Sequence, residues 1–151
     1  MTEKEALSKA MAYCAAGERC VSQMYSKLEQ WGVETNISER TIHSLIREDF
    51  INEKRYAIAF TSDKFRFSQW GRQKIAMALR QKSIPQDLII QALNSIDQEE
   101  YLKTLNKIIS AKRKTLKNSD EYQNNIKLIR AAVSKGFEIP LIRKTIPFAE
   151  E

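Results

Sequence analysis

A stretch of basic and aromatic residues, KFRFSQWGRQKIAMALRQKSIP at 64–85, is the part of this sequence best suited to bind a charged partner. It has six basic side chains and no acidic one. Arg and Lys neutralise phosphates with a salt-dependent gain in affinity, and an aromatic such as Trp70 can stack on a base or anchor a protein contact. The pattern favours phosphates or an acidic protein surface as the partner, with an ordinary solvated face as the alternative. The candidate contact residues are Lys64, Arg66, Trp70, Arg72, Lys74, Arg80 and Lys82.

A second basic tract, YLKTLNKIISAKRKTLKNS at 101–119, also contains no acidic residue. Its apolar residues recur at helical spacing, so we expect an amphipathic helix with one basic face. Such a helix can lie on a membrane, but its apolar face is needed for packing within the fold, and we expect no membrane contact. The further candidates for contact with a partner are Lys112, Arg113 and Lys114.

Catalysis and metal binding find little support in the side chains present. His43 is the one histidine, and it lies on a short amphipathic segment where a structural or surface role outweighs that of a general base. Cys14 and Cys20 are too few to build a zinc site with it, and a disulfide is not expected in a cytosolic protein. The sequence has neither a glycine-rich phosphate loop nor a nucleophile elbow. We therefore predict no enzymatic activity, no cofactor and no metal.

The bulk composition indicates a folded cytoplasmic protein with an uneven charge. Hydrophobic residues make up 42% of the 151, no apolar run approaches the ~20 residues of a membrane span, and MTEKEALSKAM is unlike a signal peptide. Residues 1–50 carry 6 basic and 8 acidic side chains, residues 51–97 carry 8 and 4, and residues 98–151 carry 11 and 7. Attraction to an anionic partner is therefore expected in the middle and C-terminal parts.

The spacing of apolar residues predicts an all-α protein built from a repeated unit. No window shows the alternation typical of a strand. Three segments, 24–33, 75–84 and 128–137, share one pattern in which two apolar or small residues four apart are followed by Gly or Ser and another apolar residue. A longer helix precedes each segment and a short one follows, which gives three helices per unit. The anchors are Met24, Leu28, Gly32 and Val33; Ile75, Leu79, Ser83 and Ile84; and Leu128, Ala132, Gly136 and Phe137.

Helix ends can also be predicted from the sequence. Thr2, Ser38, Asn52, Asp97 and Ser119 precede acidic residues in the way that N-caps do. Glycines at 32 and 136 stand where a left-handed C-terminal cap would end a helix. With these ends, the predicted repeats are 1–51, 52–97 and 98–151, stacked side by side to bury their apolar faces.

Residues 50–93 resemble the middle repeat of the RecX family of recombination regulators, and RCVSQMYSKLEQWGV at 19–33 resembles its first repeat. The resemblance of the third repeat to the family is weaker. Two departures occur in the middle repeat, where Asn52-Glu53 replaces Asp-Asp and Ser83 replaces a glycine. The matching residues are Glu53, Arg55, Tyr56, Ala57, Gly71, Ile75, Leu79, Arg80, Lys82, Ile84, Ala92 and Leu93.

The resemblance implies three tandem three-helix repeats in an elongated, curved molecule. It also implies binding in the groove of the RecA filament on DNA, inhibition of strand exchange and ATP hydrolysis, and no enzymatic activity. The basic stretch would then contact the acidic filament surface, the phosphates of single- or double-stranded DNA, or both. The sequence does not distinguish between these partners. We expect a monomer. The alternative is a stand-alone helical protein that contacts DNA phosphates without a recombinase partner.

Overall fold

The computed structural model describes residues 1–117 and 120–146, which form nine α-helices and no strand. The predicted all-α fold is confirmed. The helices follow one another as three triplets, and in the second and third triplets a long helix is followed by two shorter ones. In the first triplet the third helix, with 13 residues, is as long as the first, so the prediction of a short helix there is wrong. The helices are α1 (Glu3–Ala15), α2 (Val21–Gln30), α3 (Thr35–Arg47), α4 (Glu53–Ser68), α5 (Arg72–Gln81), α6 (Gln86–Asn94), α7 (Gln98–Thr115), α8 (Glu121–Ser134) and α9 (Ile139–Thr145).

The second helix of each triplet ends in the same hydrogen-bonded turn, which supports the repeat at the level of the backbone. Gly32, Ser83 and Gly136 all adopt positive φ, at 78°, 62° and 98°. The next residue in each copy donates its N–H to the carbonyl five residues earlier, which is the bond that defines a Schellman C-cap. These bonds are Val33 to Leu28 at 3.0 Å, Ile84 to Leu79 at 3.2 Å and Phe137 to Ala132 at 3.2 Å.

Most of the predicted N-caps are confirmed, and one is wrong. Thr2 accepts from the backbone of Glu5, Asp97 from that of Glu100, and Asn52 from that of Arg55.

Ser38, however, lies inside α3, because that helix begins at Thr35, before the predicted cap. Its side chain is buried at 4% exposure and so belongs to the packing of the helix. Ser119 lies outside the described residues, and Asp120 caps α8.

The chain divides into two compact units. Unit 1 comprises Met1–Phe60 with Leu79–Ala92, and unit 2 comprises Thr61–Ala78 with Leu93–Glu151. The middle repeat thus contributes residues to both units, and the repeat boundaries at 51/52 and 97/98 stay predictions.

Each unit has its own apolar core. In unit 1, Met24 and Leu28 of α2 pack with residues of α1 and α3, while in unit 2, Leu128 and Ala132 of α8 pack with α7 and α9. All the buried anchor pairs expected from the repeat, including Ile75 with Leu79, are at most 1% exposed. Among the described helices, none combines the length and apolar character required to cross a bilayer.

Candidate partner-binding surface

Two lysines flank the indole of Trp70 in unit 2. Helix α4 ends at a turn in which Gln69 has φ 57°, and the Trp70 N–H donates to the carbonyl of Lys64 at 3.1 Å. This turn places the half-buried indole 4.8 Å from Lys64 Nζ and 4.7 Å from Lys74 Nζ, measured to the ring centroid. Cation–π attraction holds both ammonium groups close to the ring. We call Lys64, Trp70 and Lys74 the Trp70 cluster.

Arg66 and Phe67 occupy the last turn of α4. The Arg66 guanidinium is exposed and lies 5.6 Å from the centroid of the Phe67 ring, which is itself 76% exposed. Aromatic residues and Arg are enriched among the side chains that dominate the binding energy of interfaces. Phe67 was not among the contact residues expected from sequence, and the signal available was only its position within the basic tract.

The Arg72 side chain is held by neighbouring side chains of unit 2. Its guanidinium donates to Glu138 Oε2 at 3.0 Å and to Gln98 Oε1 at 2.7 Å, and it stacks 3.9 Å from the Tyr101 ring centroid. The side chain is 20% exposed and that of Glu138 is 22% exposed. Arg72 was expected to contact a partner, but two of its donors and its stacking on Tyr101 engage it with residues of α7 and with Glu138 at the start of α9.

Tyr101 completes this network from the buried side of α7. Its hydroxyl donates to Glu138 and accepts from the backbone N–H of Arg72. Burial, and then the hydrogen bond to Glu138, raise the pKa of Tyr101 well above its ordinary value. The phenol therefore stays protonated and continues to donate.

The start of α5 is capped by residues of the third repeat. The N–H groups of Gly71 and Gln73 donate to the carbonyls of Lys135 at 2.7 Å and Gly136 at 2.9 Å. These N–H groups have no partner within their own helix. A Cβ on Gly71 would lie 2.4 Å from the backbone carbon of Gly136, so only glycine allows this approach. The glycine of the basic stretch is thus explained by close backbone packing.

In unit 1, the start of α2 is hydrogen-bonded to α4 and to the residue after α5. Val21 N–H donates to Glu53 Oε2 at 3.0 Å, and Ser22 Oγ donates to the carbonyl of Lys82 at 2.8 Å. Tyr56, which is buried at 6% exposure, lies at the fourth position of α4, as Tyr101 does in α7. Burial, followed by interaction with Cys20, raises the Tyr56 pKa.

Arg55 ties the first turn of α4 to its surroundings in unit 1. The guanidinium pairs with Glu18 at 2.6 Å and Asp49 at 3.1 Å, and it donates to the carbonyl of Asp49 at 3.0 Å. Hydrogen bonding to Glu18 is the leading cause of its raised pKa. The Glu-x-Arg-Tyr part of the middle repeat therefore supports structure, which sequence spacing alone did not reveal.

Arg80 and Lys82 belong to unit 1. Arg80 is exposed, with one hydrogen bond of 3.3 Å from Nε to Gln86. The half-buried Lys82 places Nζ 5.9 Å from the Phe60 ring centroid. Neither forms an ion pair with any residue that the structure describes.

Three cations, Lys112, Arg113 and Lys114, are exposed in the last turn of α7 in unit 2. Cations at a helix C-terminus interact favourably with the helix dipole, which accounts in part for their presence. None of the three pairs with a carboxylate within the described chain.

The structure therefore brings together only some of the ten candidate residues. The Trp70 cluster and Arg66 lie on α4, the turn after it and the start of α5, whereas Arg72 is engaged internally. Cys14 and Cys20 are free thiols, and burial is the main cause of the raised pKa of Cys14. In the described ranges, no group of three or more His, Cys, Asp or Glu residues is placed to hold a metal ion.

Comparison with known proteins identifies the middle repeat. Residues 52–93 match the family model described as "RecX, second three-helix domain". The chain is 34% identical over 118 residues to the regulatory protein RecX of Clostridium perfringens (strain 13 / Type A), covering 77% of this chain and 55% of the relative. It is 33% identical over 117 residues to that of Clostridium tetani (strain Massachusetts / E88), covering 76% and 53%. The chain thus spans about half the length of the curated relatives it matches.

Two solved structures share the fold. One, titled as the crystal structure of regulatory protein RecX, superposes with a TM-score of 0.88 at 21% identity and covers 95% of this chain and 70% of its own. The other, RecX from Lactobacillus salivarius, has a TM-score of 0.87 at 19% identity and covers 95% and 94%. From the matched middle repeat and the similarity to RecX proteins on either side of it, we conclude that this chain belongs to the RecX family.

Proposed function

We propose that this chain binds the RecA filament on DNA and lowers its strand-exchange and ATPase activities. In this proposal it acts as a monomer in the cytoplasm and catalyses no reaction itself. Family membership supports the recombinase as partner. The observation that carries the proposal is the Trp70 cluster, in which two ammonium groups and an indole form one cationic and aromatic surface.

The physical chemistry of this surface suits a filament that presents both phosphates and protein. Exposed charge contributes little to folding, since a surface ion pair is worth about 0–1 kcal/mol. The same charge contributes strongly to binding a polyanion because counterions are released. Arg66 and the exposed Phe67 add a second cation–aromatic pair at the end of α4, and aromatic residues with Arg dominate the energetics of many interfaces.

A RecA ATPase assay on single-stranded DNA tests the proposal. The variant Lys64→Gln/Lys74→Gln removes both cations of the cluster. The control Lys4→Gln/Lys54→Gln removes two exposed lysines of unit 1 that are outside the cluster. We expect the cluster variant to need about tenfold more protein for half-inhibition, a loss of about 1.4 kcal/mol. Inhibition by the control should match that of the parent.

Two results would contradict the proposal. If the parent protein fails to inhibit the ATPase, the regulatory role is wrong. If the cluster and control variants inhibit equally, the Trp70 cluster is not the contact surface, and Lys112, Arg113 and Lys114 become the first residues to replace.

The alternative function is stand-alone binding to DNA phosphates. The exposed cations of α7 favour it, because Lys and Arg side chains can bind DNA phosphates without a protein partner. Comparison of affinities for a RecA–DNA filament and for the same DNA without RecA separates the two functions. Equal affinities would support the stand-alone protein.

A further inference from the structure

An open polar groove lies in unit 1, apart from the Trp70 cluster. One wall is a face of α2 that carries Ser22, Ser26 and Gln30, and the end of α5 contributes Gln81 and Lys82. Its volume is about 480 Å³. Among the described residues that line it, none is Asp or Glu.

Two lysines give this groove a positive charge. Lys27 of α2 lies in it with Nζ 5.3 Å from the Tyr13 ring centroid, and Lys82 contributes the second ammonium group. Neither lysine forms an ion pair with a residue in the described parts of the chain. The groove is therefore cationic although residues 1–50 carry 6 basic and 8 acidic side chains.

The lining points to a phosphodiester backbone as the occupant. Apart from the two lysines and Tyr13, it consists of glutamine and serine side chains. Cores of protein–protein interfaces are depleted in Lys and Ser, whereas Lys, Ser and Gln commonly contact phosphate and sugar oxygens. The Tyr13 ring, which is the one aromatic surface in the groove, already packs against Arg19 at 3.8 Å.

We propose that this groove binds the sugar–phosphate backbone of a nucleic acid, with Lys27 and Lys82 contacting phosphates and the amides and hydroxyls contacting adjacent oxygens. The proposal rests on the proposed function only in that a nucleic acid is one of the partners. It extends nucleic-acid contact to the first repeat, where the net charge of the sequence did not predict it.

Fluorescence anisotropy of a labelled oligothymidylate, alone and as a duplex with oligodeoxyadenylate, tests this without RecA. The groove variant is Lys27→Gln/Lys82→Gln, and the control is again Lys4→Gln/Lys54→Gln. Each lost phosphate contact should reduce the slope of log affinity against log salt by about 0.7 on a single strand and 0.9 on a duplex. The slope for the groove variant should therefore be smaller by about 1.4 on the single strand or by about 1.8 on the duplex. The oligonucleotide for which the affinity falls more, single strand or duplex, is the one that the groove binds.

Ser26→Glu is a second variant that places a negative charge in the groove at an exposed position, where folding tolerates it. It should weaken binding of the oligonucleotide by about tenfold or more. Circular dichroism of each variant confirms that the helices are retained.

Three results would overturn the inference: a parent protein that does not bind either oligonucleotide, a groove variant with the slope of the control, or a groove variant that loses ATPase inhibition but not oligonucleotide binding. The last result would assign the groove to an acidic protein surface. A parent that does not inhibit RecA, with a groove variant that still binds DNA more weakly, would refute the proposed function and leave this inference standing.

Discussion

Replacing Arg72 by alanine should destabilise the protein, whereas Arg80→Ala in the same helix should not. Arg72 pairs with Glu138 at 3.0 Å in a site where both side chains are about one-fifth exposed. Exposed pairs contribute about 0–1 kcal/mol, and breaking a fully buried pair costs about 3–5 kcal/mol, so this pair lies between, at about 1–2 kcal/mol. Loss of the cation–π contact with Tyr101 adds about 0.5–1 kcal/mol.

The sum is about 1.5–3 kcal/mol, which lowers the melting temperature by about 3–12 °C in a protein of this size, at about 2–4 °C per kcal/mol. Arg80 has one long hydrogen bond to Gln86 and is exposed, so Arg80→Ala should change stability by less than about 0.5 kcal/mol. Thermal unfolding followed by circular dichroism measures both. Equal melting temperatures for the two variants would refute the reasoning.

A double-mutant cycle isolates the Arg72 interaction. Glu138→Gln should also destabilise the protein, and combination with Arg72→Ala should cost about 1–2 kcal/mol less than the sum of the single changes. At a temperature where Arg72→Ala is folded, it should inhibit the recombinase as the parent does. Loss of inhibition by a folded Arg72→Ala protein would show that this side chain contacts the partner after all.

Three further predictions concern stability. Gly71→Ala should cost about 1–3 kcal/mol of stability because its Cβ would lie 2.4 Å from the backbone of Gly136, whereas Gly17→Ala, whose Cβ would meet only the Arg19 side chain, at 3.7 Å, should be near neutral. Equal urea midpoints for the two variants would contradict the packing argument. Ser83→Gly should raise stability by about 0.5–1 kcal/mol because Ser83 has φ 62°, and a lower melting temperature for this variant would exclude backbone strain there. Tyr101→Phe should cost about 1–2 kcal/mol through the lost hydroxyl. Because the pKa of Tyr101 in the folded protein is raised above 10.0, the phenol's contribution to the free energy of unfolding is present below that pH and declines as the pH rises further. The stability of Tyr101→Phe should therefore fall less steeply than that of the parent in alkaline titrations, and parallel curves would count against this.

The repeat and its C-terminal turns could be predicted from sequence because they depend on local physical rules. Apolar residues four apart mark one face of a helix, and a residue that tolerates positive φ marks its end. Gly32, Ser83 and Gly136 follow this rule in all three copies. The predicted start of α3 was wrong by a few residues, because residues 35–40 are helical although their sequence also suits a loop.

The candidate surface was predicted only in outline. Charge and aromatic content are properties of the sequence, so the basic stretch was visible, and Lys64, Trp70 and Lys74 do meet. Exposure is not a property of the sequence. Arg72 and Arg80 lie two turns apart on one helix, and nothing local indicates that one is enclosed by Glu138, Gln98 and Tyr101.

Tertiary structure alone decided which basic residues are engaged by side chains distant in sequence. The partners of Arg72 are 26 to 66 residues away in sequence, and the backbone contact that requires glycine at 71 involves Gly136. The groove at Lys27 and Lys82 likewise forms only when α2 and the end of α5 pack together. Sequence fixes helices through interactions within a few residues, whereas the availability of a charge depends on which distant side chains the packing brings within hydrogen-bonding distance.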